Sequence, residues 1–181
     1  NMSLGVNVML ELAEKAASVL GHQFDIEIIE NHHNQKVDSP SGTAYALADA
    51  INETLLNSKS YIYGRHSEND KRSKAEIGIH AIRGGTVPGE HTVLFAGNDE
   101  VLEIAHRAYS RHIFVVGALE ACKFLVSKLP GLYGMKDMLR EQSIVTNISS
   151  KIEDAMVTLN NVPDDTGVVA QILQSIAHEN I

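Results

Sequence analysis

The sequence predicts an α+β fold: a small mixed or antiparallel sheet of about four strands covered by helices, followed by a C-terminal ββα appendage. Three observations carry this. Strand-like segments fall at residues 23–30, 76–83, 91–96 and 101–108. Helical spacing of apolar residues falls at 4–20, 44–55 and 112–128. Glycine-rich turns, above all Gly97-Asn98-Asp99, separate the later strands at hairpin distance.

In chain order, Leu4, Val8, Leu12, Ala16 and Leu20 recur every four residues, with Ser3 as N-cap and Gly21 as stop, so 4–20 is an amphipathic helix. In residues 23–30, Phe24, Ile26 and Ile28 alternate with Gln23, Asp25 and Glu27, which makes a strand with one buried face. Ala44, Leu47, Ala48, Ile51 and Leu55 mark a second helix. Residues 57–75 are charged and weakly patterned and read as a surface loop. Pro130-Gly131 end the helix at 112–128. After Leu139 the character changes: Ser143–Ile148 and Ala155–Leu159 read as short strands, and the segment around Val168, Ile172 and Ile176 as a helix. This sets a boundary near residue 141, with domains at 1–140 and 141–181.

Composition narrows the function classes. With 44% apolar residues and a formal charge of −8, the chain is an ordinary globular protein without the clustered Lys and Arg of a nucleic-acid binder. No apolar run is long enough to span a bilayer, and no signal peptide is visible. The single Cys122, among Val115, Val116, Leu119 and Leu125, reads as a buried structural thiol. A cytoplasmic setting follows as the expectation. The start at Asn1 and the stop at Ile181 read as those of a piece of a longer chain.

Residues 30–43 carry the chemistry. They run from a strand through a loop to a helix start. Ser39-Pro40-Ser41-Gly42-Thr43 can form an anion cradle, because a helix N-terminus offers N–H groups and the positive end of its dipole. Simple helix capping by Ser39 or Ser41 explains the same pentapeptide. On a strand, His32 and His33 point to opposite faces, so one imidazole can face a site. Histidine pairs are also ordinary surface chemistry, and no metal-ligand spacing supports a metal site. Lys36 lies between the histidines and the cradle, where an ammonium can neutralise an anion or give up a proton. Solvated loop lysines are far commoner.

Together, Glu30-x-His32-His33-x-x-Lys36-x-Asp38-Ser39-Pro40-Ser41-Gly42-Thr43 resembles the signature of dihydrodipicolinate reductases. Asn1-Met2-Ser3-Leu4-Gly5-Val6-Asn7, Ile82-Arg83-Gly84-Gly85, Gly89-Glu90-His91, Glu103–Arg111, Phe114, Gly117-Ala118 and Gly131-Leu132-Tyr133 continue the likeness to about residue 139. The resemblance implies reduction of a cyclic dicarboxylate by NADH or NADPH on the route to diaminopimelate and lysine. It implies His32 as proton donor and acceptor and Lys36 as proton donor. His33, Ser41, Gly42 and Thr43 would bind the substrate carboxylate, and Asn1, Met2 and Arg111 the cofactor. His91 and His106 would belong to the sheet and to subunit packing. It also implies a homotetramer built through the sheet.

The family's Rossmann domain, with its glycine-rich pyrophosphate loop, is absent from these residues, so the chain alone is expected to turn over poorly. Residues 143–181, with Val157-Thr158-Leu159 ahead of Val162-Pro163-Asp164-Asp165-Thr166-Gly167-Val168, resemble the start of an aspartokinase ACT domain, which binds an effector amino acid. The alternative is a non-catalytic module that binds a dicarboxylate or an amino acid, or that drives assembly, as part of a reductase–aspartokinase fusion.

Overall fold

A computed structural model describes residues 1–143, 148–151, 156–159, 167, 168 and 174. The chain divides into two compact units, residues 1–126 and 127–181.

The first unit is a mixed five-stranded sheet with helices packed on one face. The strands are β1 (Asp25–His32), β2 (Ser60–Tyr63), β3 (Glu76–Arg83), β4 (Gly89–Ala96) and β5 (Val101–Ala108), in the order β2-β3-β1-β4-β5. β1 runs parallel to β3 and antiparallel to β4. The helices are α1 (Leu4–Leu20), α2 (Gly42–Thr54) and α3 (His112–Val126).

The alternation read in β1 holds. Ile26 and Ile28 point into the core, and the same phase carries Glu30 and His32 inward. Their neighbours across the sheet are Ile77 and Ile79 on β3 and Val93 and Phe95 on β4, all buried. Ala44, Leu47, Ala48 and Ile51 of α2 close over them. Burying an aliphatic side chain of this kind contributes about 1.5–3 kcal/mol, so this layer dominates the stability of the unit.

α1 has the expected limits, and Ser3 Oγ accepts from Val6 N as its cap. Its inward face is another one. Val6, Met9, Ala13 and Ala17 are buried, whereas Val8 and Leu12 are 43% and 52% exposed. Two alanines on the inner stripe let α1 pack closely beside α2, and the larger aliphatics are left outside. Cys122 is likewise exposed, not buried, because α3 turns Val115, Leu119 and Leu125 outward as well.

The sheet has one strand more than expected. Residues 57–75 contain β2, which extends the parallel side of the sheet. Ion pairs hold the link after it: Arg65 bonds Glu27 and Glu76, and Arg72 bonds Asp25 and Glu27. Glu27 stays ionised there; burial pushes its carboxyl up, but His80, Arg72 and Arg65 pull it below the ordinary range.

The second unit contains α4 (Met135–Ser143) and an antiparallel pair, β6 (Ile148–Lys151) and β7 (Met156–Leu159). β7 matches the expected second strand. The first is shifted, because Ser143 ends a helix that the sequence reading did not anticipate. Asp137 caps α4 through the Gly134 N–H, a signal of the acidic first turn that was available. The expected helix after Gly167 falls almost wholly outside the described residues. Among the described residues, no helix is long and apolar enough to cross a membrane.

Candidate active site

β1 ends at His32, and α2 begins ten residues later on the same side of the sheet, so the N-terminus of α2 stands beside the carboxyl end of β1. In open sheets this is where ligands bind. A cavity of about 460 Å³ opens there, within the range of small-molecule sites. Asn1, His32, His33, Lys36, Ser41, Gly42, Thr43 and Arg111 line it, with Val6, Pro88 and Phe114 as apolar wall.

Eight of the nine residues expected at the site therefore converge. Met2 does not line the cavity; its carbonyl packs against Gly117 of α3. Asn1 is fixed by three bonds: its Nδ2 donates to Thr43 Oγ1 at 2.9 Å, its Oδ1 accepts from Ser3 N, and its carbonyl accepts from Asn7.

His32 is buried and His33 half-buried. His33 leaves the strand, donates its N–H to Val87 O, and faces Arg111, whose Nη2 lies 3.4 Å from His33 Nε2. Lys36 reaches the cavity from the loop and pairs with Asp38 at 2.7 Å. The Ser39–Pro40 peptide is cis.

Ser41 is occupied within the protein. Its N–H donates to Glu30, and its Oγ accepts from Ala44 N as the cap of α2 and lies 3.0 Å from His91 Nε2. The amides of Gly42 and Thr43, which open α2, are then the donors that the helix end turns toward the cavity. A Cβ built on Gly42 meets nothing within 4 Å. No packing in the protein demands a glycine at this place; the space belongs to the cavity.

Two residues of the buried network, Glu30 and Arg83, have no role assigned from sequence. Glu30, fully buried, accepts both Nη groups of Arg83 at 2.7 Å and the His32 Nδ1 contact at 2.6 Å. Burial pushes the Glu30 carboxyl up, but the bonds from Arg83, His32 and Ser41 outweigh it and hold it below the ordinary range. His91 packs edge-on against His32, ring centroids 5.1 Å apart, and pairs in register with His106 of β5. It belongs to the sheet, as expected, yet it also forms one wall of the His32 pocket. The alternation in β1 put Glu30 on the buried face, and a buried carboxylate demands a partner; that signal was legible. Nothing local in the sequence names Arg83 as that partner.

Burial, and then the nearby His32, push His91 down to about 4. A histidine depressed on folding stays neutral while the unfolded chain takes up a proton near pH 6.5, so stability falls as the pH drops from 6.5 toward 4. The expected loss is about 2 kcal/mol between pH 6.5 and 5. His106, lowered by burial, adds in the same direction. Glu30 acts in a separate window, since its contribution is lost only below the ordinary carboxylate range. Urea unfolding at pH 7, 6 and 5 checks this: the wild type loses stability stepwise, and His91→Gln flattens the slope.

The family described as "Dihydrodipicolinate reductase, C-terminus" matches residues 5–139. This chain belongs to that family. Similar proteins include the 4-hydroxy-tetrahydrodipicolinate reductase of Caldanaerobacter subterraneus subsp. tengcongensis, 55% identical over 141 residues, which cover 78% of this chain and 56% of that protein. The enzyme of the same name from Clostridium botulinum is 53% identical over 140 residues, 77% of this chain and 55% of its own length. The chain thus spans about half the length of the curated relatives it matches. Among solved structures, the dipicolinate-bound dihydrodipicolinate reductase from Paenisporosarcina sp. TG-14 superposes with a TM-score of 0.61 at 29% identity, over 76% of this chain and 52% of that one. Among the described residues, no group of three or more His, Cys, Asp or Glu is placed to hold a metal.

Proposed function

We propose that this chain supplies the substrate-binding and proton-donating part of an NADH- or NADPH-dependent 4-hydroxy-tetrahydrodipicolinate reductase. The observation that carries the reading is the convergence of His32, His33, Lys36, Gly42, Thr43 and Arg111 on one cavity, beside a helix N-terminus. That set suits a small dianion. Lys36 and Arg111 bring positive charge, and Gly42, Thr43 and His33 bring N–H donors for a carboxylate. The titled ligand of the Paenisporosarcina relative, dipicolinate, is such a dianion.

When bound, the dinucleotide supplies the hydride. The residues present fit its reactive end: Asn1 is anchored at the cavity, and the Arg111 guanidinium is exposed beside it. His32 and Lys36 hold the protons that a reduced ring would take up. A positioned acid of this sort contributes on the order of 10²–10⁴-fold. Assembly as a tetramer is part of the reading. It is supported by the apolar surface that α1 and β5 share, with Leu12, Val19 and Leu102 exposed.

Residues 141–181 form a separate module in this reading, an ACT-like segment. The antiparallel β6–β7 pair, which precedes Val162-Pro163-Asp164 in the sequence, supports it. Titrating lysine into the chain by calorimetry tests that part; no heat of binding would sink it.

Gly42→Ala tests the cradle. Alanine meets no neighbour in the protein and is the better helix former, so the melting temperature should hold or rise slightly. A methyl group in the cavity should weaken pyridine-2,6-dicarboxylate binding by tenfold or more, about 1.4 kcal/mol. Unchanged affinity by calorimetry would remove Gly42 from the ligand site. The non-catalytic module would also bind the dicarboxylate, and it is distinguished by failing to turn over when joined to a dinucleotide-binding domain.

A further inference from the structure

We infer that Glu30 is a positioning residue whose single carboxylate, clamped by Arg83, sets the tautomer of His32 with one oxygen and pins the first turn of α2 with the other. The inference rests on the proposed role of His32 as the acid and of Gly42 and Thr43 as the anion cradle.

The geometry makes the two tasks inseparable. Oε2 lies 2.6 Å from His32 Nδ1, and Oε1 accepts the Ser41 N–H at 3.0 Å. Arg83 grips both oxygens at 2.7 Å, and its Nη2 also donates to the Asp38 carbonyl, which ties down the loop between His32 and α2. An ionised carboxylate only accepts, so His32 Nδ1 must carry hydrogen, and Nε2 is left as the nitrogen that exchanges a proton with a ligand. That nitrogen has room because β4 has no side chain opposite it: a Cβ on Gly89 would stand 3.0 Å from Nε2. A neutral aliphatic residue in place of Glu30 would fill the core at no desolvation cost, but it would leave the His32 ring free to take either tautomer. Any shift of Glu30 moves the acid and the cradle together.

The test uses the 181-residue chain with ¹⁵N-labelled histidine, at about two pH units above the ordinary imidazole range. Long-range ¹H–¹⁵N correlation should show wild-type His32 with hydrogen on Nδ1 and a bare Nε2. In Glu30→Gln, whose amide can donate to Nδ1, the hydrogen should move largely to Nε2. Hydrogen exchange of the Ser41 and Tyr45 amides, bonded to Glu30 and to the Ser41 carbonyl, should accelerate by about tenfold or more as the turn loosens. Wild-type His32 carrying hydrogen on Nε2 would overturn the inference, and this measurement decides even if the variant does not fold. A variant that keeps the wild-type tautomer overturns the assignment of Glu30. One that keeps wild-type exchange at Ser41 and Tyr45 overturns the coupling. Pyridine-2,6-dicarboxylate binding to the wild type is measured alongside. Its absence would count against the proposed function and leave the tautomer result standing.

Discussion

Joined to the dinucleotide-binding domain of a relative, His32→Ala should lose 10²–10⁴-fold in kcat while pyridine-2,6-dicarboxylate affinity changes by less than about threefold. The split follows from the geometry. His32 is buried and lines the cavity, and its Nδ1 is committed to Glu30. The groups suited to carboxylates are elsewhere, at His33, Lys36 and the start of α2. Removing the ring therefore takes away a proton carrier and leaves the anion contacts in place. Steady-state kinetics beside calorimetry checks both halves. If kcat survives, His32 is not the acid; if affinity collapses with kcat, the ring belongs to the ligand contacts instead.

Gly117→Ala should be the most damaging small substitution in the first unit, at about 3 kcal/mol. A Cβ at this position would lie 1.7 Å from the Met2 carbonyl oxygen and 2.8 Å from its carbon. Both are backbone atoms, so no side chain can rotate away. Either α3 lifts or residues 1–3 move, and Asn1 with its bond to Thr43 goes with them. Chemical denaturation should show the loss, and dicarboxylate binding should weaken along with it. Gly117→Ala with wild-type stability would mean that the crossing of α3 over Met2 is looser than drawn.

Much of the site was legible in the sequence because its parts are local. His32, His33, Lys36 and Gly42 lie within eleven residues, and the strand-loop-helix order alone carries them to the end of β1. The long-range partners were not legible. Arg83 meets Glu30 because β3 runs parallel beside β1, a pairing that a strand list does not specify. β2 escaped notice because Ser60–Tyr63 is only four residues long at a sheet edge, where exposed polar residues blur the alternation. The face of α1 was misjudged for a related reason. Val8 and Leu12 outweigh Ala13 and Ala17 on any hydrophobicity scale, yet close packing against α2 selects the small residues. Cys122 and the outward side of α3 show the same limit, since a sequence does not say which apolar face the unit leaves uncovered.

The starts of α1 and α2 meet at the same cavity, with Asn1 bridging to Thr43. The chain carries a formal charge of −8, of which residues 1–140 hold −3 (14 Lys and Arg against 17 Asp and Glu). A dianion approaching from solution is repelled at long range and attracted only over the last few ångströms. Salt screens the first effect over about a Debye length and barely touches the second. Dicarboxylate capture by the 181-residue chain should thus quicken modestly as ionic strength rises, the reverse of a site served by a positively charged surface.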